Sequence, residues 1–263
     1  MFDIVSLGEL LIDFTPSGKS EAGNTLYEQN PGGAPANVAA AVSKLGGKSA
    51  FIGKVGYDAF GWLLKETLIK NGIEARGLRM AVDIATTLVK YAKQKGLMIS
   101  YDPNLRLSLW PDAEMAKSGI LAGLHYADIL KISEKELAFI TDTTEYEQGS
   151  KILYDKGVRF VVITLGGEGC FYRYKHGVGY ITTYGTKAVD TTGSGDAFTG
   201  AMLYSLAKRK KSLEDIHNLE MIEILTYANA SGALCATKRG AIPAMSGEQE
   251  IQECMRGTIR LVR

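Results

Sequence analysis

Two periods alternate along this chain. The runs FDIVSLG (2–8), SAFIGKVG (49–56), LMISYD (97–102), DILKI (128–132) and RFVVITLG (159–166) are short, apolar and bounded by Gly or Asp, which predicts strands. Between them PANVAAAVSKLG (35–46), AFGWLLKETLIKNG (59–72), DAEMAKSGILAGL (112–124), EKELAFITD (134–142) and TEYEQGSKILYDKG (144–157) carry apolar residues at helical spacing, several closed by Gly or Asn-Gly. The repeating strand–helix order predicts an α/β domain with a mainly parallel sheet and helices on both faces. Ligands should then gather beyond the C-terminal ends of the strands. GCFYRYKHGVGYITTY (169–184) breaks the order and predicts an antiparallel hairpin with a Gly-containing turn.

Two stretches fit less well. FTPSGKSEAGNTLYEQNPGG (14–33) is too long and polar for an ordinary strand-to-helix loop, which suggests a protruding lid. GLRMAVDIATTL (77–88) has strand character but runs straight into the helical VKYAKQKG. The lid segments are accordingly expected near 14–31 and 74–88.

Composition narrows the function classes. The 263 residues, 46% hydrophobic and 22% charged, suit one large globular domain. Thirty Lys and Arg against 29 Asp and Glu leave a net charge of +1, without the basic footprint of a nucleic-acid or membrane binder. Cys170, Cys235 and Cys254 are too scattered for a disulfide framework or a metal-binding pair, so a reducing, cytoplasmic setting is expected. His125, His176 and His217 lack the spacing of a zinc site. No apolar run reaches membrane-spanning length.

The candidate chemistry lies in AVDTTGSGDAF (188–198), which leads into the amphipathic AFTGAMLYSLAK. Asp196 can be read as a helix cap. The same Gly-Ser-Gly-Asp geometry can also gather backbone N–H groups around a phosphoryl group beside a carboxylate able to accept a proton. Other phosphate signatures fail: GGKS (46–49) would need a Gly at Val42 to be a P-loop, and a dinucleotide fingerprint starting at Gly193 would place its third Gly at Phe198.

DTTGSGD (190–196), together with PGGAPAN (31–37), resembles the two signature regions of the ribokinase-like, or PfkB, carbohydrate kinases. GELLIDF, IGKVGYDAFG, YDPNLRLSLW, KISEKEL, VVITLGGEGC and TKRGAIP extend the likeness over almost the whole chain, most like the fructokinase branch. The resemblance implies a single three-layer α/β/α domain with a small β lid. It implies that Asp196 is the catalytic base for attack on the γ-phosphorus of ATP, with the N–H groups of Gly193, Ser194 and Gly195 around the migrating phosphoryl group. By the same likeness Arg106 reaches toward that phosphoryl group, and Asp13, Gly32, Gly33 and Asn37 contact the sugar. Thr164, Gly166, Gly169 and Asn229 would face the nucleotide, and Glu136 the water shell of Mg²⁺, although Ser133 replaces the family's Asn. Asp190 and Thr192, with carbonyls near Lys238 and Gly240, match a K⁺ loop in relatives. A homodimer through the lid is also implied.

The leading expectation is phosphorylation of D-fructose to D-fructose 6-phosphate. The alternatives are another sugar kinase of the family, such as a 2-keto-3-deoxygluconate kinase, or a catalytically silent sugar- or nucleotide-binding regulator. Relatives carry on the order of fifty further residues between the positions of Leu88 and Val89, within ordinary domain sizes. The eight or so residues that remain make a short crossover between parallel strands. The expectation is that the protein has a lid and core segment there that the 263 residues lack.

Overall fold

The computed structural model describes residues 1–20, 24–56, 59–79, 85–107, 110 and 112–258. The chain divides into two units, Met1–Val82 with Gly185–Arg209 and Ala230–Thr258, and Asp83–Tyr184 with Lys210–Asn229 and Ile259–Arg263.

In the first unit β1 (Ile4–Glu9), β4 (Ser49–Lys54) and β5 (Glu74–Arg79) form a parallel sheet in the order β1-β4-β5. The helices α1 (Ala34–Lys44) and α2 (Ala59–Lys70) make the crossovers between these strands. α1 is an alanine helix for a packing reason: Ala36 and Ala39–Ala41 are buried, and small side chains let α7 (Ser194–Arg209) lie close. A methyl on Gly200 of α7 would stand 2.5 Å from Ala41 Cβ and 3.0 Å from the Val38 carbonyl oxygen. Phe51, Leu64, Leu68 and Ile73 fill the rest of this core. Among the described residues β2 (Leu11–Lys19) and β3 (Thr25–Gly32) pair only with each other, as an antiparallel hairpin. The expected lid segment 14–31 falls within this hairpin.

Residues 74–88 behave differently from the lid expectation. Glu74–Arg79 pairs in parallel with β4 in the main sheet, 80–84 lie outside the described residues, and α3 (Ala85–Gln94) runs unbroken across Leu88–Val89. The β-branched Thr86 and Thr87 suggested a strand, but the helical pattern of VKYAKQ extends back over them.

The second unit holds a five-stranded sheet in the order β10-β9-β8-β7-β6, comprising β6 (Ser100–Tyr101), β7 (Ile129–Ser133), β8 (Phe160–Thr164), β9 (Cys170–Tyr174) and β10 (Gly177–Ile181). β6, β7 and β8 are parallel, and β9 and β10 are the expected antiparallel hairpin. α4 (Ala113–Leu124), capped by Asp112, α5 (Glu134–Thr141) and α6 (Tyr146–Asp155) provide the helical connections. Leu130, Ile132, Leu137, Leu153, Val161, Ile163 and Phe171 form its core. α8 (Asn218–Cys235) lends its residues to Asn229 to this unit and the remainder to the first. α9 (Glu248–Gly257) completes the first unit.

Candidate active site

In the first unit α1 and α7 bring Asn37 and Asp196 together across 159 residues of sequence: Asn37 Nδ2 donates to Asp196 Oδ2 at 2.7 Å. Asn37 is buried, and its Oδ1 has no hydrogen-bond partner among the described residues. That acceptor borders a point shared with Asp13. A methyl added to Gly32 would lie 3.5 Å from Asn37 Oδ1, 3.7 Å from Asp13 Oδ2 and 3.7 Å from Ala241 Cβ. Asp13 Oδ2 and the buried Asn37 Oδ1 thus lie on one side of Gly32, close to where a Cβ would stand, and the Asp196 carboxylate lies beyond the Asn37 amide. Gly33 begins α1 at φ 113°, where a side chain would press on the Glu9 carbonyl, and its task is to turn the chain from β3 into the helix.

Asp196 lies in the first turn of α7, after Gly193 at φ 78°. The Ser194 N–H donates to the Thr191 carbonyl at 3.1 Å, whereas the N–H groups of Gly193 and Gly195 make no hydrogen bond among the described residues. Two of the three expected phosphoryl donors are thus available, and the third is engaged in the turn that holds them. Asp190 accepts from the Thr192 N–H at 2.9 Å and from the Gly240 N–H at 3.0 Å. These bonds, Gly240 first, hold its carboxyl below the usual range. Asp190, Thr192 and Gly240 meet here through backbone N–H groups on the Asp190 carboxylate. Cys235 lies beneath the loop, its Sγ 3.7 Å from the Thr192 carbonyl, with its thiol pushed up to about 11 by burial.

In the second unit Arg106 stands on an exposed loop after β6, its guanidinium 3.3 Å from the Leu105 carbonyl. Glu136 is 8% exposed and forms a capping box with Ser133, whose N–H and hydroxyl both donate to Oε2 at 2.8 Å. Its Oε1 accepts from the Leu105 N–H at 2.7 Å. Three of the four lone-pair directions of this carboxylate are occupied. What is left suits a hydrogen bond from a metal-bound water, not an inner-sphere bond, and no cluster of three or more His, Cys, Asp or Glu fit for a metal occurs among the described residues. Asp102, Arg106, Lys131, Lys135, Ser133 and Glu136 line a cavity of about 560 Å³. Sequence reasoning missed Lys131 and Lys135, because a lysine in a strand and one in a helix turn carry no motif of their own.

Thr164 ends β8, its hydroxyl 3.3 Å from the Ile132 carbonyl. The loop after it closes through the Leu165 N–H to the Gly169 carbonyl at 2.8 Å. Gly166 takes φ 55° and a methyl on it would touch nothing, while a Cβ on Gly169 would overlap the Ile181 carbonyl oxygen. Asn229, expected near the nucleotide, is 4% exposed, and its Nδ2 donates to the Ile181 carbonyl at 3.0 Å. The side chain thereby braces β10.

The pfkB family carbohydrate kinase profile matches residues 1–92 and 80–247. The chain is 38% identical over 317 residues to "Probable fructokinase-5" of Arabidopsis thaliana, covering 96% of this chain and 97% of that protein. It is 35% identical over 317 residues to "Probable fructokinase-4" of the same plant, covering 97% of each. Among solved structures it is similar to a fructokinase from Vibrio cholerae O395 bound to fructose, ADP and a calcium ion, with a TM-score of 0.86 and 26% identity over 95% of this chain and 98% of that one. The alignments are longer than the 263 residues themselves, and the profile breaks into two pieces that overlap at 80–92. With its fold, its Asp196–Asn37 cluster and these relatives, the chain belongs to the pfkB family of carbohydrate kinases.

Proposed function

We propose that the chain is an ATP-dependent fructokinase that converts D-fructose to D-fructose 6-phosphate. The observation that carries the reading is the meeting of Asp13, Gly32, Asn37 and Asp196, two acceptor oxygens beside a residue without a side chain and a carboxylate held by Asn37. Fructose hydroxyls donate to Asp13 and to Asn37 Oδ1. Asp196 accepts the proton of the C6 hydroxyl as that oxygen bonds to the γ-phosphorus. The bond from the γ-phosphorus to the bridging oxygen breaks, and ADP leaves with its electron pair. The N–H groups of Gly193 and Gly195 and the positive end of α7 stabilise charge on the transferred phosphoryl oxygens, and Arg106 adds a bidentate donor. Thr164, Gly166 and the loop to Gly169 face the nucleotide. A Mg²⁺ ion on the nucleotide phosphates would neutralise their charge, with one of its waters held by Glu136. The Asp190–Thr192 loop is the candidate for a K⁺ ion, which would be held by carbonyl oxygens because the Asp190 carboxylate is taken up by N–H groups.

The hairpin β2–β3 is read as the lid and as a homodimer surface, a reading supported by the exposed Leu11, Phe14, Leu26 and Tyr27. Three buried free cysteines suit a cytoplasmic setting, and no helix among the described residues is long and apolar enough to cross a membrane. The internal shortfall against relatives favours a second reading, a catalytically silent sugar- or nucleotide-binding regulator. Asp196→Asn separates the two. As an enzyme the protein loses at least about a hundredfold in kcat while calorimetry still detects fructose binding, whereas a regulator has no turnover to lose.

A further inference from the structure

Lys131 sits in the middle of β7 among Ile129, Leu130 and Ile132, each fully buried, and is itself only 8% exposed. Its Nζ lies 2.9 Å from Asp102 Oδ2, and the two side chains are 10% and 17% exposed. Burying two charges costs several kcal/mol each before their attraction is counted, and an apolar pair of the same volume is often the more stable choice. Such a pair is therefore better explained by what it positions. Asp102 opens the loop that ends at Arg106, and its Oδ1 accepts from the Asn104 N–H at 3.2 Å, in a turn where Asn104 takes the left-handed φ of 46°. One residue further on, Glu136 Oε1 takes the Leu105 N–H. Two carboxylates, the buried Glu136 and the largely buried Asp102, thus grip successive N–H groups just before Arg106, Asp102 tied to β7 through Lys131 and Glu136 to the start of α5 through Ser133. Asp102, Asn104, Leu105, Arg106, Lys131 and Glu136 all line the same cavity.

We propose that Lys131 is a positioning residue for phosphoryl transfer: by anchoring Asp102 it holds the 102–106 loop so that the Arg106 guanidinium is presented to the transferred phosphoryl group. The proposal rests on the kinase reading of Arg106. Burial, joined by the charge of Glu136, pushes the Asp102 carboxyl up and Lys131 opposes this, so loss of the lysine also weakens the carboxylate as an acceptor for Asn104.

The test uses the full-length protein and four variants, Lys131→Met, Lys131→Met with Asp102→Leu, Arg106→Ala, and Lys131→Met in the Arg106→Ala background. With loop position controlling Arg106, Lys131→Met lowers kcat about tenfold to a hundredfold, the scale of a misplaced catalytic group, and leaves KM for fructose within about twofold. Because Lys131→Met alone strands a buried carboxylate and can unfold the chain, the paired replacement is decisive. It removes both charges and restores thermal stability, yet kcat stays low. In the Arg106→Ala background Lys131→Met costs nothing further, since the two act through one contact. Recovery of kcat in the paired replacement, or a loss that multiplies with that of Arg106→Ala, overturns the proposal and makes the pair purely structural. An Arg106→Ala protein with unchanged kcat overturns the reading of Arg106 and the proposal with it, whereas a low Arg106→Ala kcat beside an unaffected Lys131→Met overturns the proposal alone.

Discussion

Gly32→Ala should separate stability from sugar binding. The added methyl would meet Asn37 Oδ1 at 3.5 Å and Asp13 Oδ2 and Ala241 Cβ at 3.7 Å, ordinary van der Waals distances, and Gly32 is not among the glycines at positive φ. The folded state accepts it without strain. Replacing glycine at a compatible position restricts the unfolded chain, which stabilises by about 0.4–1 kcal/mol. The same methyl fills the space between two acceptors where the account puts a fructose hydroxyl. That hydroxyl forfeits a bond to the Asp13 carboxylate, about 1.5–3 kcal/mol, and one to the Asn37 amide oxygen, about 0.5–1.5 kcal/mol. A total loss of about 2–4.5 kcal/mol is about a thirty- to two-thousandfold weakening of fructose binding. Calorimetric titration with fructose and a thermal melt, run on the same preparation, read both effects. Unchanged fructose affinity would refute the placement of the sugar among these residues, and a melting temperature that falls would refute the strain-free fit of the methyl.

Other expectations follow from single contacts. Gly169→Ala forces a Cβ onto the Ile181 carbonyl at a residue with φ 112°, and should cost about 1–3 kcal/mol of stability and raise KM for ATP more than KM for fructose; thermal melts and two-substrate kinetics check it. Asp190 has a lowered folded pKa, so its contribution is complete above the ordinary carboxylate range near pH 4 and is lost as pH falls through the folded value. Asp190→Asn should therefore narrow its stability gap to the parent protein in acid, as melting temperatures across pH 2–6 would reveal, and a gap that widens on acidification contradicts the assignment. Asn229→Ala leaves the Ile181 carbonyl without its 3.0 Å donor inside the protein and should destabilise by about 1–3 kcal/mol, measurable by urea unfolding. Intact mass spectrometry addresses the shortfall between Leu88 and Val89: a mass well above 28.4 kDa supports the expected extra segment, and a match to 28.4 kDa removes it.

Much of the fold was legible because the period of the apolar residues changes cleanly. The valine and isoleucine run of β8, the alanines of α1 and the Gly-turn of the β9–β10 hairpin each admit one reading. Residues 85–88 did not, because threonines of strand propensity continue into a helical pattern and tertiary setting decides between them. In the site, the small residues around Gly193 and the carboxylate of Asp196 were visible as motif. The Asn37–Asp196 bond was not, since nothing local marks a contact spanning 159 residues. Ser133 with Glu136 shows the converse. Its S-x-x-E spacing is a helix-start signal in its own right, and the capping box it forms also takes up much of the carboxylate that the motif assigns to a metal's water shell. Asn229 was read from its family position, but its neighbours on an apolar helix turn it inward, where a buried carbonyl needs its amide.

The central claim is that this chain transfers phosphate from ATP to fructose. Initial rates of ADP release, measured with Mg²⁺-ATP and in turn fructose, ribose, 2-keto-3-deoxygluconate and adenosine, test it most directly, with the phosphorylated position read by phosphorus NMR. Fructose should give the highest kcat/KM, with phosphate on C6, and Asp196→Asn should lower kcat by at least about a hundredfold. Preference for another acceptor would contradict the substrate assignment, and ADP release that no acceptor stimulates would contradict the kinase reading altogether.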